Sequence, residues 1–164
     1  MKHKSTKIVL GALVASLMLS GCITKSERTV YAAEELGEYE YVYITELSEN
    51  TPEEIELVEG LEAVMDQAGL TLLNEGDERL ANAQATEEIL LAEYDVEEEK
   101  LVTIIDIVYS DYVSKKQVAY CRGTWGLDGH KDNLEFSEDN AINQTRYLFG
   151  LANEEDEFNK YSWY

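Results

Sequence analysis

Cys121, His130, Asp128 and Asp132 are the residues of this 164-residue chain whose meeting would produce the most distinctive chemistry. A thiol, an imidazole and a carboxylate are the parts of a thiol hydrolase, in which the base takes the sulfur's proton and the acid orients the base. The placement argues against it. Cys121 falls between Tyr120 and Arg122, inside a run that reads as a strand, whereas a nucleophilic thiol needs an electropositive setting such as a helix N-terminus. A buried structural cysteine is the expectation. Asp128, His130 and Asp132 also alternate like the first oxygen positions of a calcium loop. Asn133, however, stands sixth, where the sharp turn needs glycine, and imidazole is a poor calcium ligand at the third position. These residues read as a solvated turn, and no metal or cofactor is expected. The tyrosines offer a different chemistry. Tyr39, Tyr41 and Tyr43 alternate with Glu40, Val42 and Ile44, which places three rigid aromatic rings with polar tips on one strand face. Such a face is a candidate partner-binding surface if it is open to water, and core if a helix covers it.

The N-terminus carries a second use of cysteine. Lys2, Lys4 and Lys7 precede an uncharged, mostly apolar stretch from Ile8 to Leu19, which closes on Leu19-Ser20-Gly21-Cys22. This is the layout of a signal peptide, and its apolar part is shorter than the roughly 20 residues a permanent membrane span requires. Leu19-Ser20-Gly21-Cys22 resembles the lipobox of bacterial lipoproteins. That resemblance implies cleavage by signal peptidase II before Cys22, acylation of its sulfur and an acyl-chain anchor in a membrane. The rival cut, after Val30-Tyr31-Ala32, lies far beyond the apolar run and behind Lys25, Glu27 and Arg28. In Gram-negative cells an Asp directly after the lipidated cysteine favours inner-membrane retention. Ile23 stands there instead, so by resemblance to that sorting rule the expected location is the outer membrane, facing the periplasm.

Charge narrows the partners. Removing residues 1–21 takes away three lysines and moves the formal net charge from −21 to −24, with 10 basic and 34 acidic residues left. Nucleic acid is repelled by such a chain, because phosphates are bound by Lys and Arg that release counterions. Anionic headgroups are repelled too, which leaves the acyl chains of Cys22 as the expected membrane contact. With Cys22 acylated, Cys121 has no cysteine to pair with, so stability must come from packing rather than disulfides. His3 belongs to the signal peptide, leaving His130 without a second histidine for a zinc site. Asn143-Gln144-Thr145 matches a glycosylation acceptor but reads as helix surface in a bacterial lipoprotein.

Stepping along the chain, residues 22–38 read as a lipidated cysteine and flexible tether, 39–153 as one α+β domain, and 154–164 as an acidic and aromatic tail. A strand is expected over 39–44. Thr51-Pro52-Glu53-Glu54 supplies a cap and a proline suited to the first helical position, after which Ile55, Val58, Leu61, Met65 and Ala68 form an apolar stripe ended by Gly69. A short strand follows at Leu70–Leu73. Asp77 then caps a helix with Ala81, Ala85, Ile89 and Ala92 on one side, with a break near Thr86. Leu101–Tyr109 is the strongest strand pattern, apolar on both faces and interrupted by Asp106, so a central strand covered on both sides is expected. Gln117–Trp125 pairs with it as a hairpin, and Ser137 caps a last helix built on Ala141, Ile142, Thr145, Leu148 and Phe149. The order β-α-β-α-β-β-α implies a small mixed sheet of about four strands with helices packed on it.

A lipidated cysteine, a tether, the aliphatic strand Leu101-Val102-Thr103-Ile104-Ile105 and the exit Arg122-Gly123-Thr124-Trp125-Gly126 together resemble small envelope lipoproteins of the penicillin-binding-protein activator type, with a TolB-N-terminal-like α/β domain. The resemblance implies a non-catalytic protein that binds other proteins of the envelope. The alternatives are a thiol hydrolase centred on Cys121 and His130, and a domain that responds to divalent cations.

Overall fold

The computed structural model describes residues 27–30, 36–46, 52–83, 88–98, 102–125 and 133–152. They form an α+β domain around a six-stranded mixed sheet. In chain order its elements are β1 (Glu27–Val30), β2 (Tyr41–Glu46), α1 (Pro52–Gln67), β3 (Thr71–Leu73), α2 (Glu78–Asn82), β4 (Ile89–Glu98), β5 (Thr103–Asp111), β6 (Gln117–Trp125) and α3 (Asn133–Leu148). Across the sheet the order is β1-β6-β5-β4-β2-β3. β2 runs parallel to β3 and β4, and the other pairs are antiparallel.

Two strands exceed the sequence expectation. Glu27–Val30, read from sequence as part of the tether over 22–38, pairs with β6 from Glu27 opposite Arg122 to Val30 opposite Ala119. Leu36, in the same stretch, is buried in the core. Ile89 and Ala92, expected on a helix beginning at Asp77, belong instead to β4, and the helix stops at Asn82. Asp77 does cap it, accepting the Arg79 backbone N–H at 2.8 Å. β4 sits between β2 and β5, where two ladders of backbone hydrogen bonds outweigh the helix propensity of Leu90, Leu91, Ala92 and Glu93.

α1 begins at Pro52 as expected, and of the expected stripe Leu61 and Met65 are buried and Val58 and Ala68 pack against the core. Leu57 and Val64 are buried as well, while Ile55 is 53% exposed. The helix ends in a Schellman turn: Gly69 adopts a φ of +85° that side chains disfavour, its N–H bonds Asp66 O, and Leu70 N–H bonds Met65 O. α3 ends the same way at Gly150, with Leu151 N–H on Arg146 O.

The core lies between the sheet and the pair α1 and α3. Val42, Leu90, Ala92, Tyr94, Ile105, Ile107, Ala119 and Cys121 meet Leu57, Leu61, Met65 and Ala141 there. β5 is central, as expected, but among the described residues helices cover only one of its sides. Thr103, Ile105, Ile107 and Tyr109 are buried, and the alternating Ile104, Asp106 and Val108 are half-buried.

α3 starts four residues before the expected cap. Ser137 therefore lies inside the helix, where its hydroxyl donates to Thr103 O at 2.9 Å. Asn140 Nδ2 donates to Thr124 O at 3.1 Å. Thr145 donates to Ala141 O, so the Tyr109 hydroxyl donates to Thr145 at 2.8 Å. Thr145, expected on the inner side of this helix, is buried, and so is Gln144, read from the glycosylation-like triplet as helix surface. The closeness of α3 depends on Gly123, where a Cβ would collide with Ser137 O, Ala141 N and Ala141 Cβ. Two of these are backbone atoms and cannot turn aside. Gly123→Ala is expected to cost about 2–3 kcal/mol in thermal or urea unfolding by overpacking. Gly37→Ala, whose added Cβ meets nothing within 4 Å, should stay within about 0.5 kcal/mol of wild type.

Candidate functional site

The sheet face opposite α1 and α3 holds a group of half-exposed aromatic and charged side chains. Alternation along each strand assigns its members. Val42 and Leu90 point into the core, so Tyr41, Tyr43, Ile89, Leu91, Glu93, Asp95 and Glu97 lie on the other face, with Asp106 and Arg122 in register beside them.

One end of this face is aromatic. Tyr41 lies opposite Ile89 and Tyr43 opposite Leu91. Both aliphatic side chains are buried, while both tyrosines are half-exposed. Tyr112 stands edge-on to Tyr43 with ring centroids 6.3 Å apart. Two cations rest on these rings, Arg79 at 5.0 Å from the Tyr41 centroid and Lys115 at 4.4 Å from that of Tyr112. Local hydrogen bonds hold the second cation in place. The carboxylate of Asp111 accepts Ser114 N–H at 2.6 Å and its carbonyl accepts Lys115 N–H, and Lys115 adopts a left-handed φ of 58°.

Tyr39 departs from the expected face. It precedes β2, packs against the helix-side core and lines a cleft of about 300 Å³ with Leu36, Gly37, Ala68, Leu70, Leu148 and Phe149. The three tyrosines therefore divide. Tyr41 and Tyr43 form a surface, and Tyr39 borders a cavity on the other side.

The middle of the open face is ionic. A row across the strands reads Arg122, Asp106, Asp95, so two carboxylates oppose each other directly. Arg122 offsets this with a two-pronged pair to Asp106, Nε to Oδ1 at 2.6 Å and Nη2 to Oδ2 at 2.7 Å. Tyr120 donates its hydroxyl to the same Oδ1 at 2.5 Å. Partial burial pushes the Asp106 pKa upward, but the hydrogen bonds from Arg122 and Tyr120 and the Arg122 charge outweigh it, and the carboxyl titrates below its usual value. On the core side, burial drives the Tyr109 phenol well above its ordinary pKa and nearby Cys121 adds to this, against the opposing Thr145 hydrogen bond.

Cys121 has no accessible surface and belongs to the core cluster. Asp128, His130, Asp132 and Cys22 lie outside the described residues, as does the tail 154–164. Among the described residues no three His, Cys, Asp or Glu side chains gather as metal ligands, and no helix is long and apolar enough to cross a membrane. Sequence reasoning missed Arg79, Tyr112 and Lys115. They reach the tyrosines only through strand register and the turns at Asp77 and Asp111, which no spacing along the chain reveals.

No family model and no curated protein matches the chain. Two solved dodecamers of PelC from Paraburkholderia phytofirmans, one of them a variant, are similar to it. Each is 9% identical with a TM-score of 0.47, and the alignments cover 79% and 80% of this chain and 100% of theirs. Neither likeness bears on function.

The two shifted groups set opposite limbs of the stability profile. Asp106, depressed in the folded state, stabilises above its unfolded value of about 3.9, and that contribution is lost as pH falls through the folded value. Tyr109, raised in the folded state, stabilises below its unfolded value of about 10 and loses that contribution as pH rises further. Melting temperatures from pH 2 to 11 should show Asp106→Asn flattening the acid limb and Tyr109→Phe the alkaline limb. Unchanged limbs would contradict both assignments.

Proposed function

We propose that this chain is a lipid-anchored bacterial envelope protein that acts by binding a partner rather than by catalysis. The observation that carries the anchor is Leu19-Ser20-Gly21-Cys22 at the end of a charged and then apolar leader. Two acyl chains on one cysteine, at about 0.8 kcal/mol per buried methylene, hold a protein on a membrane without any spanning helix. An outer-membrane site facing the periplasm follows from Ile23 in place of Asp, if the cell is Gram-negative.

Burial of Cys121 supports the non-catalytic reading. A sulfur enclosed by Ile107, Tyr109 and Ala119 meets no substrate without unfolding the core. The binding surface in this reading is the aromatic end of the open sheet face. Tyr41, Tyr43 and Tyr112 supply amphipathic area, and Arg79 and Lys115 bring positive charge to a chain dominated by acids. An envelope protein with an apolar or acidic contact is the partner this chemistry suits.

Two experiments test the two halves. Cys22→Ala is expected to move the protein from the carbonate-washed membrane pellet to the soluble fraction, and retention in the pellet at wild-type level would contradict the anchor. Tyr41→Ser combined with Tyr43→Ser should lower partner capture from membranes at least tenfold, since aromatic anchors contribute about 1.4 kcal/mol or more. The melting temperature should fall by only a few degrees, because both rings are half-exposed. Undiminished capture by the folded double variant would place the interface elsewhere.

A further inference from the structure

Beyond its anchoring, the position of β1 fixes how the domain faces a membrane. We infer that, given acylation of Cys22 as proposed above, the domain stands with the strand ends Glu27, Glu98, Thr103 and Trp125 toward the lipid surface. The end bearing Tyr41, Tyr43, Tyr112 and the 300 Å³ cleft is then directed away from it.

The first argument is length. Only residues 23–26 separate Cys22 from the first residue of β1. Five Cα steps of extended chain reach at most ~17 Å, so Glu27 cannot rise further than that from the acylated sulfur's neighbourhood. A tether running to residue 38 would have allowed free tumbling at several times the distance.

The second argument is where Glu27 sits. It is paired with Arg122, three residues from the end of β6. Arg122 is opposite Asp106 and Asp106 opposite Asp95, so the C-terminal end of β4 and the N-terminal end of β5 share this side of the sheet. Tyr41, opposite Ile89, is at the other side. β4 spans the gap with ten residues, Ile89–Glu98, which at about 3.3 Å per step is ~30 Å. The row of Glu27 runs through Arg122, Asp106 and Asp95, six residues from Ile89, so an inverted domain would hold Glu27 ~20 Å above the lipid surface. A ~17 Å linker does not allow it while β1 remains paired.

The third argument disfavours lying flat. One broad face carries the exposed Asp95 and Glu97 at the linker end, where Arg122 is paired with Asp106, and the cations Arg79 and Lys115 at its far end; the outer side of α1 carries Glu56, Glu59, Glu62 and Asp66, all exposed. Anionic headgroups repel the α1 face and, on the sheet face, the linker end that the short chain to Cys22 holds nearest the lipid, over about a Debye length, ~8 Å at physiological salt. With the α1 side and the linker end of the sheet face repelled and inversion out of reach, the upright pose is the one favoured. It presents the tyrosines and the cleft to the space the membrane borders.

The test uses the full chain purified in its acylated form, with acylation established by mass, and incorporated into vesicles of mixed zwitterionic and anionic lipid that carry a headgroup-level nitroxide. A fluorophore is attached through Glu98→Cys in one variant and Val113→Cys in another, Cys121 being buried and unreactive. Quenching is expected to be several-fold stronger at position 98 than at 113. Inserting a dozen Gly and Ser residues between Ser26 and Glu27 should abolish the difference. Equal quenching at the two positions in acylated protein, stronger quenching at 113, or a contrast that survives the insertion would overturn the orientation and leave the anchor standing. A chain carrying no acyl group would overturn both.

Discussion

The contact between α3 and the β5–β6 pair sets the shape of everything else. At Gly123 the helix backbone comes so close that no side chain fits, and the approach brings Ser137 and Asn140 within reach of the carbonyls of Thr103 and Thr124. These carbonyls sit at the margin of the sheet, where an unmet acceptor in a buried setting would cost about 1–3 kcal/mol. A helix seated this low cannot be exchanged for one seated higher without orphaning them. The polar residues of α3 are thus part of its docking, and they explain how a helix burying Ser137, Glu138, Asn140, Gln144 and Thr145 belongs to a core at all.

Seating α3 and α1 on the same face leaves the other face to manage its own surface. It does so in two ways. Around Asp106 it sets charges against each other, with Arg122 and Tyr120 bound to Asp106, one of the two carboxylates that strand register places opposite each other. Around Tyr41 and Tyr43 it keeps aliphatic residues buried beside aromatic rings whose edges and faces remain half-exposed. The contrast along one sheet face, acidic at the β1 linker end and aromatic with cations at the far end, gives the molecule a direction. Lipid attachment at Cys22, proposed five residues before β1, would turn that direction into an orientation.

Much of the architecture is legible in the sequence because local signals and tertiary demand agree there. Pro52 and Gly69 bound α1, Asp77 caps α2, and the alternation at Gln117–Trp125 is β6 to the residue. β4 is where four-residue spacing misleads. Ala81, Ala85 and Ile89 fit a helix, yet Leu90, Ala92, Tyr94 and Val96 already alternate with Leu91, Glu93, Asp95 and Glu97, a period of two that the structure obeys. β1 has too few residues to show a period, and only its pairing with β6 makes it a strand. On the site, the tyrosine alternation identifies Tyr41 and Tyr43 but cannot show that the strand begins after Tyr39. Arg79, Tyr112 and Lys115 are silent in sequence because three-dimensional register, not spacing, brings them to the rings.

The central claim is that this domain works from a lipid anchor at Cys22, with its open aromatic end as the surface on offer. Intact-mass and peptide mass spectrometry of the protein extracted from its own membranes tests the anchor most directly. The account predicts an N-terminal peptide that begins at Cys22 and carries a diacylglyceryl group on its sulfur. A chain that retains residues 1–21, or one cut after Ala32 and lacking any acyl group, would contradict it.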